Sequence, residues 1–478
     1  MDFLSLTFAV FFIISVICYY AVPKKMRWGV LLFSSLVFYA WSVPYLLIYL
    51  MFSAVTTYGY GIWAKKNSGR GKGKGLLGLV VCANLAVLLF LKFYPLGVVR
   101  LQFPALNLLM PMGISFYTLQ VIAYCVDVFQ GKTEAQENFF KYLLFVSFFP
   151  QILQGPIPRY EQLKNQLFEG HAFDYRKVKF GFQLILWGMF LKMVVADRAA
   201  IFVNTVFDAY HMYEGGVLAV AAVLYSIQLY TDFLGCVCIA MGAAEAYGIQ
   251  LQTNFERPYL AVSIKDFWRR WHISLSSWLR DYVYIPLGGN RKGKARRYLN
   301  LILTFLVSGI WHGSGMQYIF WGLMHGGYQV AGEVLMPFRK RLRRFLKVNE
   351  ESPVFLWWQR GGTFVLVTIA WVIFRAESLR TGLSILKRIV TDFSPWVLFD
   401  GSLYEFGISS HSFIALILCV ILMMIVESMQ EKGNMREMLA KQHIIVRWGI
   451  YLGAIALVTV LGVYGPGYSA TQFLYGQF

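Results

Sequence analysis

The sequence predicts an all-α integral membrane protein, a multi-span helical bundle of about 10–12 crossings with re-entrant helices. Three observations carry this. Hydrophobic types make up 58% of the 478 residues and charged types only 14%, where an ordinary soluble domain has about a quarter charged. The mean hydropathy is +0.54 with 17% aromatics, which excludes a disordered chain and a soluble enzyme of ordinary composition. The formal charge is +19, and it gathers in a few loops between apolar runs. Nucleic-acid binders are often this basic but not this apolar, so no nucleic-acid partner is expected.

Residues 3–22 form a first apolar run, long enough for one crossing. Lys24, Lys25 and Arg27 follow it, the reverse of a secretory leader, so it reads as an uncleaved span with its N-terminus outside. Further spans are expected near 29–42, 45–64, 76–96, 110–130, 139–153, 179–196, 215–233, 299–311, 316–336, 361–376, 411–427 and 447–465. Several are too short to cross and read as half-helices, tolerated only where protein or water covers their backbone.

Four basic clusters set the orientation: Lys65–Lys74, Arg291–Arg297, Arg339–Lys347 and Lys432–Arg447. By the positive-inside rule all four face the cytoplasm, which puts the C-terminal tail outside. The Gly-rich stretch 69–75 lacks phosphate-loop spacing and reads as a flexible basic loop. The six cysteines, Cys18, Cys82, Cys125, Cys236, Cys238 and Cys419, lie scattered in apolar runs without ligand or framework spacing. They read as small core residues, and no metal site is expected. Residues 1–465 form one membrane domain, and 466–478 an extracytoplasmic aromatic tail.

The most informative stretch is 256–300, where charged and aromatic residues crowd together. Trp268, Trp271 and Trp278 have a spacing expected to share one side of a helix. Arginine with tryptophan suits a membrane interface, but that does not explain Asp266, His272 and Asp281 in the same short span. Forty residues on, SGIWHGSG (308–315) sets His312 in an apolar context. A histidine at membrane depth is costly and by default marks function. The glycines around it let a backbone or ligand approach closely. His325 follows within WGLMHGG (321–327). No GxSxG elbow and no HExxH motif occurs, so serine hydrolysis and zinc proteolysis lack support. A neutral imidazole has the right basicity to take a proton from a hydroxyl attacking a thioester, which describes acyl transfer to an alcohol.

The run from Asn254 to Ser263, then FWRRWHISLSSWLRDYVYIPLGGNRKG, resembles the membrane-bound O-acyltransferase family, in particular its bacterial alginate and polysaccharide O-acetyltransferase branch, with the D-alanyl-lipoteichoic acid transferase as a cousin. SGIWHGSG, WGLMHGG, FPQILQGPIPRY (149–160) and IAWVIFRAESL (369–379) agree in order and spacing. The resemblance implies a bundle with a central tunnel or funnel in a bacterial cytoplasmic membrane. It makes His312 the catalytic histidine and His272 its upstream companion. Trp271, Trp311, Asp281, Asp232 and His325 become tunnel or substrate-binding candidates. The implied donor is acetyl-CoA or a similar thioester, with no bound cofactor, and the acceptor is a polysaccharide reached from outside. In the family's Tyr-x-Asp-Phe-Ser-Gly-x-x-Asp pattern this chain keeps Asp232 but has Cys238 at the second acid.

The end of the chain, QFLYGQF, resembles the C-terminal motif of small proteins that accompany the D-alanyl transferase. That resemblance makes Tyr475 an acyl carrier, handing its group to an extracytoplasmic partner of the SGNH-hydrolase type. A phenolate leaves an ester far better than an alkoxide does. The bland alternative is an aromatic interface anchor. For the whole chain, D-alanyl transfer to teichoic acid is the second reading, and a transporter or flippase the reading from another class.

Overall fold

The structure is a computed structural model that describes residues 3–41, 43–67, 73–101, 109–152 and 154–464. Among these residues every regular element is a helix, and each span expected from the sequence falls on one. Six helical stretches are both long and apolar enough to cross a membrane: Pro44–Lys66, Lys74–Pro95, Tyr175–Asp208, Gly215–Ala246, Ser410–Gln430 and Ile444–Leu461. The last 14 residues, with the Tyr475 proposal, and most of the Gly-rich loop lie outside the described residues.

The chain divides into two compact units. One takes its described residues from Met1–Met189 and Cys236–Gln252, the other from Phe190–Gly235 and Thr253–Leu474. The first unit holds α1 (Leu6–Ala21), α2 (Arg27–Ala40), α3 (Leu47–Lys66), α4 (Lys74–Leu101) and α5 (Ile114–Phe129). The short α6 (Phe139–Ser147), α7 (Phe149–Ile152) and α8 (Tyr160–Phe168) follow, then α9 (Tyr175–Met189). Its core is aromatic, with Phe8, Phe12, Phe38, Phe149 and Tyr247 buried. Some polar groups inside it pair with one another: Tyr247 Oη donates to Ser15 Oγ at 2.8 Å, and Ser15 and Ser34 share a bond of 2.7 Å.

The second unit opens with a π-helical segment, Phe190–Ala196, running into α10 (Asp197–Asp208). Next comes α11 (Gly215–Ala246), whose first two-thirds belong here. After it come α12 (Ile264–Arg270), α13 (Ile273–Leu279), a second π-helical segment at Arg280–Tyr284, α14 (Gly293–His312) and α15 (Met316–Val334). The unit ends with α16 (Met336–Phe345), α17 (Pro353–Arg375), α18 (Leu379–Thr391), α19 (Ser410–Gln430), α20 (Met435–Ala440) and α21 (Ile444–Leu461). Serines start several helices by accepting a backbone N–H with their hydroxyl, as Ser263 does from Asp266 at 3.1 Å and Ser378 from Thr381 at 3.1 Å.

α14 and α15 form a tight hairpin. A Cβ on Gly309 would lie 2.4 Å from the Tyr318 carbonyl oxygen, and one on Gly322 would lie 2.3 Å from that of Phe305. Small residues at such crossings let backbones touch, which replaces the hydrophobic drive that is missing between helices in lipid. The glycines around His312 therefore serve a backbone contact: Gly309 meets Tyr318, and the Tyr318 ring covers Gly313.

Two expectations are corrected. Trp268, Trp271 and Trp278 do not share one helix side, because the chain breaks at Trp271 and His272 between α12 and α13. Cys18 and Cys82 are exposed on their helices rather than in the core, whereas Cys125, Cys236, Cys238 and Cys419 are buried. An apolar thiol is tolerated on a face that meets lipid, so burial in protein was not required of it.

Candidate active site

The break that displaces the tryptophans is what presents His272. Its backbone is left-handed, at φ 45° and ψ 54°, a conformation uncommon for a non-glycine residue. His272 occupies the N-cap position of α13, yet the cap acceptor is Asn254, not the imidazole. Asn254 Oδ1 accepts from Ser274 N at 3.0 Å and from Ser274 Oγ at 2.8 Å, while the Asn254 carbonyl accepts from Ile273 N at 3.0 Å. The distant Asn254 thus pins the turn, and the imidazole enters the core against Phe233, ring centroids 4.9 Å apart. It is 1% exposed. Burial pushes its pKa down to about 3, so the ring is neutral at physiological pH.

His312 closes α14 and is likewise 1% exposed. Its ring lies edge-on to Trp321 at 5.0 Å and to Phe374 at 5.4 Å. Trp311 bridges the two histidines, at 4.8 Å from His312 and 6.2 Å from His272. On the other side Trp321 lies 5.0 Å from His325. The order in space is therefore His272, Trp311, His312, Trp321, His325, three imidazoles separated by two indoles.

His325 is held in one tautomer. Trp268 Nε1 donates to its Nδ1 at 3.2 Å. Indole can only donate, so Nδ1 accepts and a neutral ring carries its proton on Nε2. Among the described residues, Nε2 of His325, Nε1 of Trp321 and of Trp371, and Oγ of Ser308 are buried without a hydrogen-bond partner. Trp371 stacks on Trp321 at 5.7 Å, and Ser308 lies one turn before His312 on α14. Buried polar atoms of this kind are ordinarily satisfied by water or a ligand. The aromatic shell thus has a polar lining suited to a small polar group.

The remaining sequence candidates fall in different places. Trp271 packs behind the shell, 5.1 Å from Trp371 and 5.0 Å from Phe255. Asp281 stands apart on the second π segment and pairs with Arg280 at 2.9 Å. Asp266 is a helix-start acid: burial works against its charge, but hydrogen bonds from Arg269 and Arg270 hold its pKa below the usual value. Asp232 is buried and bonds Lys192 Nζ at 2.6 Å, which also bonds Asp197 at 2.7 Å. Lys192 and Asp197 are five residues apart, about 140° apart on an α-helix. The π segment, with its i→i+5 bonding, brings them to one face. The next residue after Asp232 is Phe233, which packs on His272.

Sequence reasoning passed over Trp321, Trp371, Phe374 and Lys192. Only Lys192 carried a visible signal, a cation inside the apolar run 179–196 with an acid five positions on. The aromatic residues look like core in one dimension. Tyr230 and Glu427 were also passed over; the Tyr230 hydroxyl donates to the Glu427 carboxylate at 2.5 Å.

Residues 135–359 match the family described as MBOAT, membrane-bound O-acyltransferase. The chain is 36% identical to the probable alginate O-acetylase AlgI of Pseudomonas putida, over 80% of this chain and 78% of that protein. It is 36% identical to a peptidoglycan O-acetyltransferase of Helicobacter pylori, over 75% and 73% respectively. It is 30% identical to the teichoic acid D-alanyltransferase of Bacillus subtilis, over 51% and 65%.

Proposed function

The chain belongs to the membrane-bound O-acyltransferase family, and from that membership we propose that this O-acyltransferase moves acetyl groups from a cytoplasmic thioester onto an extracytoplasmic polysaccharide. The observation that supports it best is the set of three buried imidazoles linked by Trp311 and Trp321, with unpartnered polar atoms in the aromatic shell around His312. In the proposed reaction a nitrogen of His312 takes the proton of the attacking hydroxyl. The hydroxyl oxygen bonds to the acyl carbon, the carbon–sulfur bond breaks, and the imidazolium returns its proton to the departing thiolate. His272, neutral and rigidly posed, orients the donor or hydrogen-bonds its carbonyl. His312 is 1% exposed, so reactants reach it only when side chains of the aromatic shell part.

The donor is acetyl-CoA or a similar thioester, the membrane is the bacterial cytoplasmic one, and both termini lie outside. Tyr475 accepts the acetyl group as a phenolic ester, and a secreted SGNH-hydrolase-like partner transfers it to sugar. Acyl transfer by purified protein in vesicles tests this. His312→Ala at unchanged protein level is expected to abolish transfer, and full activity would remove it as the base. Mass spectrometry of the C-terminal peptide after incubation with acetyl-CoA is expected to show an added acetyl group, absent in Tyr475→Phe. Labelling only from a D-alanyl carrier-protein thioester would instead support the teichoic acid reading.

A further inference from the structure

α16 is a basic surface helix with an exposed apolar stripe. None of its residues is buried. Phe338, Leu342 and Phe345 lie at i, i+4 and i+7 and are 62%, 43% and 81% exposed, with Leu346 just beyond at 59%. They form one apolar stripe. The other faces carry Arg339, Lys340, Arg341, Arg343 and Arg344, with Lys347 after the helix.

Two of these six cations are engaged inside the protein: Arg339 donates to the Gly332 carbonyl at 2.7 Å, and Arg343 pairs with Glu350 at 2.9 Å. Among the described residues, Lys340, Arg341, Arg344 and Lys347 make no ion pair. A ten-residue helix is marginal in water by itself and is normally held by packing of its apolar face. Here that face stays largely exposed, with Phe345 at 81%, and the charges beside it are unbalanced.

We propose that α16 lies in the membrane–water interface as a binding surface for anionic phospholipid headgroups, with its apolar stripe among the acyl chains. The charge complement argues for this occupant: four unpaired cations flank a stripe of phenylalanine and leucine, the pattern of an interfacial helix on anionic lipid. Continuity argues for it too. α16 begins two residues after α15, and Arg339 ties it to the last turn of that helix. The helix carrying Trp321 and His325 is thereby anchored to the headgroup layer.

The test uses the full-length protein in phosphatidylcholine vesicles, with spin-labelled phosphatidylglycerol and phosphatidylcholine as probes. Each interfacial cation is worth about fivefold in attracting anionic lipid. Wild type is expected to prefer phosphatidylglycerol on the order of fivefold at low salt, with the preference falling as salt screens it. Lys340→Gln, Arg341→Gln, Arg344→Gln and Lys347→Gln combined should bring the ratio close to one. Lys65→Gln with Lys66→Gln should lower it less, since Lys65 already pairs with Glu137. Because α16 buries no side chain, the combined variant should fold, and the salt titration of wild type stands independently of it. No preference in wild type, a preference insensitive to salt, or equal loss in the Lys65/Lys66 variant would overturn the proposal. So would a combined variant that keeps its lipid preference but shows a raised KM for the thioester donor.

Discussion

Removing Lys192 should damage this protein far more than removing either acid beside it. The Lys192 ammonium lies 2.7 Å from Asp197 and 2.6 Å from Asp232, and all three side chains are at most 5% exposed. With an effective dielectric near 20, each contact is worth about 6 kcal/mol of gross attraction, most of it offset by desolvation. Lys192→Met leaves two carboxylates buried together. Breaking a buried ion pair in this way typically costs about 3–5 kcal/mol. Asp197→Asn instead leaves one ammonium against one carboxylate and keeps an acceptor in place, so its cost should be about 1 kcal/mol. The triple change Lys192→Met, Asp197→Asn and Asp232→Asn removes every charge and should recover most of the loss. Unfolding free energy from detergent titration of purified protein measures all three. Lys192→Met within about 0.5 kcal/mol of wild type, or an Asp197→Asn cost equal to it, would refute the reasoning that buried charge balance governs this cluster.

Gly322→Ala should destabilise by about 1–3 kcal/mol, because its Cβ would lie 2.3 Å from a backbone oxygen that cannot swing away. The same assay with Gly309→Ala should give a similar loss, and the double change less than the sum, since both strain one crossing. Trp268→Phe removes the donor to His325 Nδ1 at 3.2 Å but keeps a ring; nitrogen NMR of the histidine should show a second tautomer, and an unchanged spectrum would reject the tautomer assignment. Stability should depend on pH through His272, whose pKa falls from 6.5 to about 3 on folding. The unfolded chain then binds more protons between those values, so stability is complete above about 6.5 and declines as pH falls, by about 2 kcal/mol at pH 5. His272→Gln should make that slope shallower in detergent unfolding between pH 7 and pH 5; an identical slope would show that the ring is not buried neutral.

The fold class was legible because lipid leaves a chain few choices. Backbone groups without water must bond within a helix, so apolar runs separated by charged loops announce helices directly. His312 and His272 were legible for a related reason, since an ionisable ring in apolar surroundings is costly and rarely accidental. The π segment was not legible: Lys192 and Asp197 pair only after the helix widens, and spacing in an ideal α-helix points them apart. Nor was the turn at His272. In one dimension 266–282 reads as a single amphipathic run, and Asn254, distant in sequence, supplies the acceptor that starts the second helix.

By itself, the order of residues determined that this chain lives in a membrane as helices, and which imidazoles were worth suspecting. Both follow from local cost: the solvation of a backbone or a side chain is decided by its own chemistry and its near neighbours. Tertiary structure alone decided that Trp311 and Trp321 link three histidines through ring contacts, that Asp232 answers to Lys192, and that the apolar stripe of α16 stays exposed. Those are relations between segments far apart in the chain, and they exist only once helices have packed.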